Sequence, residues 1–230
     1  VVADVMPHAL AELAGDGLPL RYRRALQRFV YGPATIKVDW ALDGPIPWSD
    51  PEVRGAGTVH VAGTRAEFLA TVRASQHGLP ERPFLLLGQQ SIADPSRAPE
   101  GKHTAWAYTH GPWEGVDCFV ATAMMAPYEA HRARMEAQIE RFAPGFTSRI
   151  LARNIAGPAE LERDDANLVH GDVGGGSYRL SQVVFRPTVG LSPYKTPLRG
   201  LFLGSAAAFP GGAVHGVPGD AAARAALRTL

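Results

Sequence analysis

The 230-residue sequence contains one cysteine, Cys118, so it can form no internal disulfide and no multi-cysteine metal site. That residue sits in the apolar run 116–124, a setting that suits a buried structural thiol better than a nucleophile. No run approaches the roughly 18 apolar residues that a membrane-spanning helix needs. An excess of either charge sign is also lacking. A net charge of +1, with 20% charged residues, gives no electrostatic reason to expect a nucleic acid or an anionic membrane as partner. The densest basic cluster, Arg21, Arg23 and Arg24, shares a helical pattern with Leu18, Tyr22, Leu26 and Phe29 and reads as a solvated helix face. The chain opens on Val1-Val2-Ala3-Asp4, with neither Met nor a basic n-region, and stops inside a helical pattern at 221–230. Both ends are expected to be cut from a longer chain, and the location is expected to be cytoplasmic.

Several catalytic signatures are missing as well. Gly174-Gly175-Gly176 has no glycine at 179, and Gly211-Gly212 runs into Ala213, so G-x-G-x-x-G does not occur. A Walker loop is absent. Gly204-Ser205-Ala206-Ala207 fails as a nucleophile elbow, and no pair of the eight histidines has H-x-x-x-H spacing. Hydrolase and metalloenzyme chemistry therefore find no support in the spacing, and no metal site is expected.

What is present is a regular succession of elements. Residues 35–42 alternate, with Ile36, Val38, Trp40 and Leu42 on one face and Lys37, Asp39 and Ala41 on the other, which predicts a half-buried strand. Further strands are predicted at 1–2, 58–61, 83–90, 103–109, 116–124 and 148–155. Helices are predicted at 18–29, from Thr64 to about Ser75, at 127–142 and at 158–163. Thr64-Arg65-Ala66-Glu67 is a capping box, and Phe68, Leu69 and Val72 form the apolar face of the helix behind it. Strands and helices in this mixture predict an antiparallel or mixed sheet with helices on one side.

The last third differs. Residues 200–205 form a short apolar segment ending in glycine, which suits a buried parallel strand whose end meets a ligand. The glycine-rich residues 209–216 and an alanine-rich helix follow. A helix start carries unpaired amides and a partial positive charge, and glycine lets a ligand approach the backbone. Aimed at the N1/O2 edge of a reduced flavin, such a turn would stabilise it by about 0.3–2 kcal/mol. Spacing alone fits equally well a turn that only packs a helix on a sheet.

The stretches Leu198-Arg-Gly-Leu-Phe-Leu-Gly-Ser205 and Phe209-Pro-Gly-Gly-Ala-Val-His-Gly-Val-Pro-Gly-Asp-Ala-Ala222 resemble the C-terminal flavin-binding motif of phytoene dehydrogenases and related FAD amine-oxidase-like enzymes. Residues 1–7, 37–43, 91–101 and 143–146 resemble further family segments in the family's order, closest to the branch described as pyridine nucleotide-disulfide oxidoreductase domain 2-like. The resemblance covers essentially the whole chain. It implies an α+β or α/β architecture in three parts: a residual FAD-domain strand at 1–4, a substrate domain with a mixed, largely antiparallel sheet at 5–165, and residues 166–230. That last part supplies the C-terminal strand, glycine turn and helix of an FAD-binding Rossmann-like domain whose N-terminal part is missing here.

The resemblance also implies FAD in the longer parent, with little retained by this piece alone. Gly204 and Ser205 are implied near the ribityl–pyrophosphate region. Pro210, Gly211, Gly212, Ala213 and Val214 are implied against the isoalloxazine. Many relatives carry an acidic residue where this chain has Ser205. His215 is implied either as a flavin-edge or substrate contact or as a packed helix-start histidine. The implied reaction removes a hydride equivalent from a C–H bond of an apolar small molecule. Trp40, Trp106, Tyr108 and Phe119 either line the cavity for it or are plain sheet core. Two other readings stay open: a stand-alone binding module for an apolar small molecule, and a subunit that completes a flavin site with another chain. Homo-oligomerisation is open too.

Overall fold

Strict alternation from Thr35 to Leu42 has the expected consequence: a nine-residue strand with one face buried and the other half open. In the computed structural model, which describes residues 1–112, 125–190 and 192–229 (backbone only for 125–127), that strand is an interior strand of a sheet. The elements in chain order are β1 (Val2–Ala3), α1 (Pro7–Ala14), α2 (Leu20–Leu26), β2 (Ala34–Leu42), β3 (Thr58–Val61), α3 (Arg65–Ala74), β4 (Leu85–Gly88) and α4 (Gln90–Ala93). They continue with β5 (His103–Gly111), α5 (Met125–Glu140), β6 (Ile150–Ala156), α6 (Pro158–Asp164), α7 (Leu180–Val184), β7 (Phe202–Leu203) and α8 (Val217–Leu227). The strand expected at 116–124, with Cys118 and Phe119, lies outside the described residues. Among those described, no helix is long and apolar enough to cross a membrane.

Two compact units result, Ala34–Leu161 and Val1–Pro33 together with Glu162–Leu230. The first is a five-stranded sheet in the order β3-β4-β5-β2-β6 with every described pairing antiparallel. Its covered face carries Val38, Trp40 and Leu42 from β2, Leu85 and Leu87 from β4, and Ala105 and Ala107 from β5. Met135 and Ile139 of α5, with Phe146, pack on them. Side chains on a strand alternate, so the opposite face carries Lys37, Asp39 and Ala41, set beside Thr104, Trp106 and Tyr108 of β5 and Ala152 and Asn154 of β6.

The capping box at Thr64 forms as expected: Thr64 Oγ1 accepts the Glu67 N–H at 3.2 Å and Glu67 accepts the Thr64 N–H at 2.8 Å. Thr64→Ala is expected to cost about 1 kcal/mol, read from a urea unfolding midpoint. The apolar face expected behind it is not the buried one. Phe68, Leu69 and Val72 stay exposed, and the residue of α3 that is buried is Thr71, whose hydroxyl donates to the Arg82 carbonyl.

The second unit joins the two ends of the chain, and its N-terminal helices pack on the C-terminal tail. Leu10, Leu18 and Leu26 share one core with Leu203 and Ala208. β1 pairs in parallel with β7, Val2 opposite Phe202 and Ala3 opposite Leu203, the parallel pairing that the short apolar segment 200–205 predicts. The chain re-enters this unit at Glu162.

Candidate functional site

The tail unit builds its most unusual feature from two glycine-rich segments locked together. Asp172 is buried and its carboxylate accepts three backbone N–H groups: Gly32 at 2.6 Å, Gly174 at 2.7 Å and Gly176 at 2.7 Å. An aspartate followed by glycines two and four residues on is a natural nest, because its short side chain reaches the amides of a tight turn. The nest holds residues 174–177 against the segment after β7. A Cβ on Gly212 would lie 2.2 Å from the Gly174 carbonyl oxygen. Tyr178 Oη adds a hydrogen bond to the Gly212 carbonyl at 2.8 Å. Gly212→Ala is expected to force the two segments apart at a cost of about 1–3 kcal/mol, measured by thermal unfolding.

Beneath this turn lies Arg186, 1% exposed. Its guanidinium sits between the rings of Phe29 and Tyr178, 5.8 Å from each centroid. Three hydrogen bonds, all 3.4 Å long, run to the carbonyls of Ala206, Gly175 and Ser177. Among the described residues its Nε has no partner. Burial pulls its pKa below the ordinary arginine value.

Above Arg186 the chain turns outward toward α8. Ala213, Val214 and His215 are exposed. Among the described residues, the amides of Gly212, Ala213 and Val214 have no protein acceptor. His215 is neither packed nor free: its Nδ1 accepts the Val217 N–H at 3.3 Å and closes the first turn of α8. Ser205 faces inward, 3% exposed, with its hydroxyl accepting the Ala207 N–H at 3.2 Å. Gly204 serves close packing, since a Cβ there would meet Val2 at 3.0 Å and Ala222 at 3.4 Å. Of the cofactor-binding residues expected from sequence, then, Ala213 and Val214 are exposed, Pro210 and Gly212 are half-buried and Gly211 is buried, while Gly204 and Ser205 pack around the end of β7.

The sheet unit has its own candidate surface. On the open face a cavity of 650 Å³ has Asp39, Gln90, Arg97, Thr104, Trp106, Arg153 and Asn154 in its lining. Trp106 and Tyr108 stack here with ring centroids 5.7 Å apart and planes 2° from parallel. The indole lies flat on β4 because Gly88 opposite it has no side chain; a Cβ there would be 2.6 Å from the ring. Trp40 goes the other way. Its ring is in the core, edge-on to Phe146, and its Nε1 donates to Glu136 at 2.9 Å. Period-two geometry and strand register separate it from Trp106, so of the four aromatics expected together Trp106 and Tyr108 share one face, Trp40 takes the other, and Phe119 lies outside the described residues.

Sequence reasoning missed Asp172, Tyr178 and Arg186. Two signals were there to be read: the Asp-x-Gly-x-Gly spacing of 172–176, and a lone cation in the apolar stretch 183–187.

No family model matches the chain. Over 156 residues it is 35% identical to the mouse (Mus musculus) pyridine nucleotide-disulfide oxidoreductase domain-containing protein 2, covering 66% of this chain and 26% of that protein. The rat (Rattus norvegicus) protein of the same name matches to the same extent. The chain thus spans about a quarter of the length of these curated relatives. Among solved structures, an oxidoreductase from Methanosarcina mazei superposes with a TM-score of 0.56 at 18% identity, over 98% of this chain and 42% of that one. Putrescine oxidase bound to putrescine superposes with a TM-score of 0.55 at 17% identity, over 99% of this chain and 42% of that one. These likenesses establish a shared fold with part of each oxidoreductase structure.

Proposed function

We propose that this chain is the C-terminal part of an FAD-dependent oxidoreductase, related to the phytoene-dehydrogenase and amine-oxidase-like enzymes, and that it supplies the ring-edge side of the flavin site. The observation that carries this is the backbone of Gly212, Ala213 and Val214, three amides with no acceptor among the described residues on a turn leading into α8. Donors of that kind suit the N1/O2 edge of an isoalloxazine. The residues fit the ring edge and not the pyrophosphate. These 230 residues contain no G-x-G-x-x-G, so the phosphate cradle would come from outside them.

When bound, the flavin supplies the acceptor for a hydride equivalent from a substrate C–H bond. The chain's own residues bind and orient. The turn amides oppose negative charge at the ring edge. On the sheet unit, the stacked Trp106 and Tyr108 offer a flat apolar surface for the body of a small molecule, and Gln90, Thr104 and Asn154 offer hydrogen bonds at its rim. An apolar substrate with one or two polar groups fits that lining.

The test is a visible absorption spectrum of the full-length parent, purified as expressed. Flavin bands that bleach on reduction are expected. A colourless protein that also takes up no added FAD would sink the proposal and bring forward a small-molecule binding module.

A further inference from the structure

We infer that Arg186 is a positioning residue whose buried charge, set directly behind Gly211, makes the outward turn 212–214 an anion-binding edge, with Asp172 as the counter-charge that limits it. The inference rests on the flavin reading above and assigns the electrostatics of that site to two residues.

Four observations meet at this point. Arg186 forms no ion pair with a carboxylate among the described residues; its hydrogen bonds are three long ones to carbonyls, and Nε has none. The nearest acid in the same cluster, Asp172, has its oxygens taken up by the amides of Gly32, Gly174 and Gly176. The guanidinium touches the α-carbon of Gly211, since a Cβ added there would lie 2.1 Å from Nη1. The amides of the next three residues have no acceptor among the described residues. A cation held away from water is screened weakly, so its field reaches through one layer of backbone to whatever binds those amides. Merely filling space would not need a guanidinium. The two flanking rings and the glycine at 211 are what admit a charged group into a site 1% exposed.

A reduced flavin gains negative charge at its N1/O2 edge, so the pair should tune its reduction equilibrium in opposite directions. The measurement is a redox titration of bound flavin in the full-length protein and in two variants, with a thermal melt on each. Arg186→Gln is expected to lower the equilibrium constant for reduction about tenfold, a midpoint about 30 mV more negative for a two-electron couple. Asp172→Asn is expected to move the midpoint the other way by a similar amount. Opposite shifts support the inference, because a disturbed turn would move both variants in one direction. Shifts of the same sign, or none in either, overturn it while leaving the flavin reading intact. If Arg186→Gln does not fold, the sign for Asp172→Asn decides alone: positive supports, zero or negative overturns. A wild-type protein without flavin overturns both this inference and the function it rests on.

Discussion

Glu136→Ala is expected to destabilise the sheet unit by about 3 kcal/mol, with the loss visible as a lower urea midpoint at unchanged slope. Glu136 on α5 is buried, yet every lone-pair direction of its carboxylate is used. Oε1 accepts from Trp40 Nε1 at 2.9 Å and from Arg153 Nε at 2.7 Å. Oε2 accepts from Arg132 Nη1 at 2.6 Å and from Arg153 Nη2 at 3.3 Å. Burial alone would raise the carboxyl pKa, but the hydrogen bonds from Arg153, Trp40 and Arg132 outweigh it and hold the value below the ordinary glutamate range. Removing the acid leaves the indole N–H dry in the core and two guanidiniums without their acceptor. The figure sits at the low end for a broken buried pair because both arginines are partly exposed and can turn to water. Glu136→Gln keeps an acceptor for Trp40 and is expected to cost less than the alanine variant. An alanine variant as stable as wild type would show that the network adds nothing net.

Acidification is expected to weaken the same unit well before its carboxylates titrate, because of His131. This histidine on α5 is 0% exposed and, among the described residues, neither ring nitrogen meets a hydrogen-bond partner. Burial, followed by repulsion from Arg134, pushes its pKa down to about 4 from an ordinary value of 6.5. Its neutral form is therefore native, and protons bind the unfolded chain first. Full stability holds above pH 6.5 and falls as the pH drops toward 4, by up to about 3 kcal/mol in total. The carboxylates with lowered values, Glu136 and Glu140 among them, contribute their loss only below the ordinary carboxylate range, so the interval from 6.5 to 4.5 isolates the histidine. His131→Leu should flatten the stability profile in that interval and, by removing two unpartnered polar atoms, leave the protein at least as stable at pH 7. An unchanged acid slope in this variant would assign the pH dependence elsewhere.

Local pattern decided much of this molecule. The period-two alternation at 35–42, the four-residue capping box at 64–67 and the apolar segment at 200–205 each define an element by nearest-neighbour chemistry, and each forms where the pattern puts it. The glycine turn at 209–216 was also visible, because glycine in such density has few other uses. Three things were decided only by tertiary structure. Which residues α1 and α2 pack on depends on Leu203 and Ala208, nearly two hundred positions away, and no local period encodes a partner at that distance. Which side Trp40 takes relative to Trp106 depends on strand register, Asp39 rather than Trp40 being opposite Trp106. The charge beneath the turn depends on chain closure, which brings Arg186 behind Gly211 and Asp172 against Gly32. Alternation and capping are settled by a few adjacent residues, whereas burial of a cation needs surroundings that exist only once distant segments have packed.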